Sequence, residues 1–158
     1  MPIYKKLHEG TRKVSPGAIH NYSVLAKCSV KEVIYDPDSK IIRFEGTVMS
    51  STRRGKYNCI VEFLNIDQFE GLTDEEIQQG FKPKPNLSND EIRCRCNCTS
   101  YRFRADYANR KAGAGTGSRF PTYYRISDRK PNNPDNIPNI CKHIMEFVNY
   151  LQKQGFIH

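Results

Sequence analysis

Tryptophan is absent from the 158 residues and methionine occurs three times. Any core must therefore be built from aliphatic side chains, Phe, Tyr and thiols. No apolar run approaches the roughly 20 residues of a membrane-spanning helix. The opening stretch Met1-Pro2-Ile3-Tyr4-Lys5-Lys6-Leu7-His8 has no apolar signal-peptide core. A soluble chain with no membrane partner, not exported by that route, is the expectation. A chain of this size has room for only a modest core, and a large catalytic cleft is not expected. The catalytic patterns are missing too. The glycines of Ala112-Gly113-Ala114-Gly115-Thr116-Gly117-Ser118 are followed by no Gly-Lys-Ser/Thr, so they make no phosphate cradle. Acidic residues are scattered over strands and linkers, and Cys141 and His143, two apart on a helix, do not face each other as nucleophile and base. These absences exclude most enzyme classes, and a non-enzyme is expected.

Positive charge, by contrast, is concentrated. The net charge is +8, and residues 91–130 carry 10 Lys/Arg against 3 Asp/Glu. Such a stretch suits nucleic acid or an acidic protein surface, or else is a solvated basic loop. Within it, Arg93, Arg95, Tyr101, Arg102, Arg104, Arg119, Tyr123 and Arg125 are the candidate partner or nucleic-acid contacts. Guanidinium forks pair with phosphates or carboxylates, and aromatic rings stack on bases, so both partner classes stay open.

Hydropathy patterning predicts an α+β fold: a small antiparallel β-meander module followed by a metal-stapled segment with a C-terminal helix. Residues 1–20 are polar and turn-rich around Ser15-Pro16-Gly17, which predicts an N-terminal arm ordered only against something else. Residues 21–80 read as the β module. Val24, Ala26, Cys28 and Val30 alternate with polar residues. So do Ile42, Phe44 and Val48, and then Tyr57, Cys59, Val61 and Phe63. Asp36-Pro37-Asp38-Ser39 marks the first turn. Cys28 and Cys59 fall on apolar faces as small buried hydrophobes. A short helix begins after Thr73, with Glu76 at capping-box spacing and Gly80 beyond its end. Residues 81–90, rich in Lys-Pro, read as a linker, and residues 91–158 as the metal module with a long basic, glycine-rich insertion. Its glycine stretch is predicted to be a mobile tip. A helix over about 139–154 shows Ile140, Ile144, Phe147, Val148 and Leu151 on one stripe, with Gly155 as its stop.

The sharpest signal is in the six cysteines. Without an export signal the thiols stay reduced, so metal binding outranks disulfides. Structural zinc takes four thiolate or imidazole ligands in a tetrahedron. The chain supplies Cys96-Asn97-Cys98 and Cys141-Lys142-His143, giving Zn2+ as the cofactor and Cys96, Cys98, Cys141 and His143 as its ligands. At a helix start the dipole is expected to ease deprotonation of Cys141. Cys94 lies on the same side of its strand as Cys96 and is an alternative ligand. His8, His20 and His158 lack a nearby partner and are expected at the surface.

Cys-x-Cys followed by Cys-x-His resembles the SWIM-type zinc finger over residues 96–148, with a spacer of 42 residues between Cys98 and Cys141. That spacer is much longer than in the common SWIM element. The flanks Cys98-Thr99-Ser100-Tyr101-Arg102-Phe103-Arg104, Asn132-Asn133-Pro134 and Ile137-Pro138-Asn139-Ile140-Cys141-Lys142-His143-Ile144 resemble small virion structural proteins of tailed bacteriophages. This second resemblance implies a non-enzymatic connector in the neck, tail or baseplate. It also implies other virion proteins as partners, repeated copies in a ring or assembly, and a virion location after synthesis in the host cytoplasm. The position of Tyr101 after Cys98 in that pattern favours Cys96/Cys98 over Cys94/Cys96. A nucleic-acid-binding, SWIM-like role for residues 91–130 is the alternative.

Overall fold

The computed structural model describes residues 2–20, 27–49, 55–121 and 132–158. The fold is α+β, built on four antiparallel strands in sequence order: β1 (Lys27–Asp36), β2 (Ile41–Met49), β3 (Lys56–Phe63) and β4 (Ile92–Cys96). The β1–β2 turn closes on Asp36, whose carboxylate accepts from the Asp38 backbone N–H at 3.0 Å and from the Ser39 hydroxyl at 2.7 Å. Along β2 and β3 the alternation puts Ile42, Phe44, Val48, Cys59, Val61 and Phe63 inside. The first part of the predicted first strand, Val24 and Ala26, lies outside the described residues.

Helix α5 (Lys142–Lys153) lies across this apolar face and touches all four strands. Its predicted stripe of Ile144, Phe147, Val148 and Leu151 is buried. Gly46 allows the close approach: a Cβ there would stand 2.5 Å from the Phe147 ring and 2.2 Å from the Ser29 carbonyl oxygen. Gly155, at φ +78°, ends the helix. The short helix α3 (Asp74–Gln78) has the predicted capping box, with both the Thr73 and Glu76 halves formed.

Three expectations are corrected. Residues 1–20 are not a free arm. They form α1 (Tyr4–Val14) and α2 (Pro16–His20), and α1 buries Leu7, Gly10 and Thr11. Small and polar residues occupy two of its three buried positions, so the helical stripe does not read as apolar. The glycine stretch is not a free tip either. The Cys94 N–H donates to the Ala114 carbonyl at 2.9 Å, and Cys94 makes a parallel bridge with Gly115. Arg110 Nη2 gathers the carbonyls of Thr116, Gly117 and Ser118 at 3.0–3.1 Å. Finally, β4 pairs with β3 and so extends the same sheet across the expected linker. Pro83 and Pro85 in that linker are buried, and the segment ties to the chain end through Leu87 N–H to His158 O and His158 N–H to Pro85 O, both 2.9 Å. Among the described residues, no helix is long and apolar enough to cross a membrane.

Candidate metal centre

Cys96 is the last residue of β4, where period-two alternation turns Ile92, Cys94 and Cys96 to the inside. Asn97 then holds the chain against the edge of β3: its N–H donates to the Asn58 carbonyl at 3.3 Å and its Oδ1 accepts from the Asn58 N–H at 2.9 Å. Cys98 follows, at the mouth of a π-helical turn (Tyr101–Ala105) that runs into α4 (Asp106–Lys111). The Tyr101 backbone N–H donates to Cys98 Sγ at 3.3 Å. On the far side of the centre, Cys141 is the extended N-cap of α5, and its thiol makes no capping bond. His143 is in the first turn. Because Cys141 is not yet helical, it escapes the helical spacing that would aim two residues i and i+2 apart. Both side chains therefore reach one point.

The ligand atoms of Cys96, Cys98, Cys141 and His143 all lie within 4.8 Å of one another, and all four residues are buried. A tetrahedron of thiolates at about 2.3 Å from its centre has edges of about 3.8 Å, so the group could hold a metal ion. The imidazole agrees with that use. His143 is 5% exposed, yet neither of its ring nitrogens has a hydrogen-bond partner. A buried imidazole left so is costly unless a further group occupies it. Tyr57 stacks on the ring, with centroids 4.1 Å apart and planes at 29°, and fixes its orientation.

Without an ion, the surroundings favour the ionised form at Cys98. Hydrogen bonds from Cys141 and then Cys96 hold its pKa far below the ordinary thiol value, and the Tyr101 N–H adds to the effect. Burial pushes Cys96 and Cys141 well above that value. At Cys141 burial, the largest cause, acts against the easing expected from the helix start.

Cys94, the alternative ligand, is not in the cluster. Its sulfur lies 3.7 Å from the Tyr101 hydroxyl and 3.8 Å from Asn109 Nδ2, and burial pushes its pKa up to about 12. Cys59 is buried as predicted, but it stands opposite Cys96 in the β3–β4 register. Sequence reading assigned Cys59 and Tyr57 no part in the site. The signal was in the β3–β4 register, which the strand sequences do not fix.

The predicted contact residues divide. Tyr101 and Arg104 are buried and cannot meet a partner as surface groups. The Tyr101 hydroxyl donates to the Cys94 carbonyl at 2.7 Å. Arg93 pairs with Glu62 at 2.7 Å. Arg95 donates to the Ser118 carbonyl and lies 4.1 Å over the Phe120 ring, and Arg102 lies 5.0 Å over Phe103. Arg119 is exposed. Tyr123 and Arg125 lie outside the described residues. His158 is exposed and His8 half-buried against Tyr4, while the His20 side chain lies outside the description.

No family model, no curated protein and no solved structure matches the chain.

Proposed function

We propose that Cys96, Cys98, Cys141 and His143 hold one structural zinc ion, and that the protein is a non-enzymatic assembly component. The observation that carries this reading is the buried set of three thiols and one imidazole converging on one point. Soft donors in that number suit tetrahedral Zn2+, and four protein ligands leave no position for a reacting water. The resemblance to small tailed-phage virion proteins supports a neck, tail or baseplate as the place of assembly, with other virion proteins as neighbours. The basic segment supports protein contact over nucleic acid. Part of its charge is used internally, with Arg93 on Glu62, Arg110 on Asp106 and Arg104 in the interior.

Elemental analysis of protein prepared without chelators is expected to give one zinc per chain, and zinc-free protein overturns the metal reading. Purified particles are expected to contain the chain. Its absence from them, together with tight DNA binding that falls steeply with salt, overturns the assembly reading in favour of the nucleic-acid one.

A further inference from the structure

Arg104 is the only buried Lys or Arg among the described residues, and none of the ion pairs there includes it. Its guanidinium meets neutral acceptors: Nε donates to Asn139 Oδ1 and Nη2 to the Ile140 carbonyl, both at 2.9 Å. Arginine does not discharge in proteins. A fixed positive charge taken from water without an opposite charge beside it is strongly unfavourable. The acceptors solvate the group but do not neutralise it.

The missing negative charge is next to it. Ile140, whose carbonyl Arg104 holds, precedes Cys141. Arg104 also lines the same cavity as Cys98, Cys141 and His143. Three thiolates and a neutral imidazole around a divalent ion leave a net charge of −1, and one guanidinium brings it to zero. We infer that Arg104 is the counter-ion of the metal centre, the residue that allows a divalent ion to keep all three thiolates ionised in a buried site. The inference rests on the zinc reading above. Lys142 borders the cavity too, but it is only half-buried, so solvent screens it.

The inference separates charge from shape in a double-mutant cycle read by competition with a chromophoric zinc chelator. In the full-length chain, Arg104→Met is expected to weaken zinc binding about 10–100-fold, the usual range for a group supporting a ligand, and Arg104→Lys to stay within a few-fold of the parent. In a Cys98→His background, zinc with two thiolates and two imidazoles is already neutral. There, Arg104→Met is expected to cost little. Equal losses from Arg104→Met in both backgrounds, or a loss from Arg104→Lys as large as from Arg104→Met, would show that Arg104 only packs, and would overturn the inference. Should Cys98→His not bind zinc, Cys96→His supplies the neutral centre for the same comparison. A parent chain without zinc overturns the zinc reading and this inference with it. A parent with one zinc whose affinity ignores Arg104→Met overturns this inference alone.

Discussion

Residues 94, 96 and 98 place three thiols within five residues, and their surroundings give them different work. Cys94 faces Tyr101 and Asn109, while Cys96 and Cys98 face Cys141 and His143. Cys94→Ser is therefore expected to keep the metal, and Cys96→Ser and Cys98→Ser each to lower affinity about tenfold or more, measured by chelator competition. Cys28 stands elsewhere, half-buried, with Sγ 3.7 Å from the Glu146 carbonyl. Burial, and secondarily the charge of Glu146, push its pKa from 9.0 to about 11. Below about pH 9 the thiol is protonated in both folded and unfolded chains, and its contribution to stability is complete. As pH rises through about 11 the unfolded chain ionises first, so that contribution is lost. Denaturant midpoints are expected to fall over this window, and less steeply in Cys28→Ala. The ligand set was legible at this scale because two short ligand pairs carry their own spacing. Cys59, Tyr57 and Arg104 were not, because strand register and helix docking, rather than local sequence, bring them to the site.

Among the elements, α5 and α3 could be read directly: one shows an unbroken apolar stripe and the other a capping box. Helix α1 could not, since its docking face depends on Gly10 and Thr11. A Cβ at Gly10 would stand 1.8 Å from the Pro138 carbonyl oxygen. The Thr11 hydroxyl accepts from the Ile140 N–H at 2.8 Å and lies 2.8 Å from the Ile140 carbonyl oxygen. Thus α1 clamps the residues that lead into Cys141. Thr11→Val leaves a buried N–H without its partner and is expected to cost about 1–3 kcal/mol in denaturant unfolding. It should also lower metal affinity, which a structural defect remote from the ligands would not do. The glycine stretch was misread for a related reason. Its composition suggests freedom, but the Arg110 fork and the edge of β4 supply enough hydrogen bonds to hold it.

For the whole molecule, the expected division near residues 80–90 implied that losing the ion would loosen mainly the residues after 90. Because β4 completes the sheet and α5 packs on all four strands, a different response follows. Chelation is expected to lower one thermal transition, followed together by sheet and helix signals in circular dichroism, by an amount that grows with free zinc. The linkage is about 4 kcal/mol when zinc stands at 1,000 times its dissociation constant. Two separated transitions, with the sheet unchanged, would show that the halves melt independently.

The 42-residue spacing between Cys98 and Cys141 also governs the order of events in time. Closing a loop of that length costs about 4 kcal/mol of chain entropy, a barrier that two thiolates on Cys96 and Cys98 cannot offset by themselves. We expect the sheet and α5 to meet first and the ion to enter an almost finished structure. A contact made after the transition state leaves the folding rate alone and slows the reverse step. Zinc should accordingly leave refolding as fast as it is without metal and lengthen the lifetime of the folded chain, so that the ion acts as a latch on unfolding and not as a seed for folding.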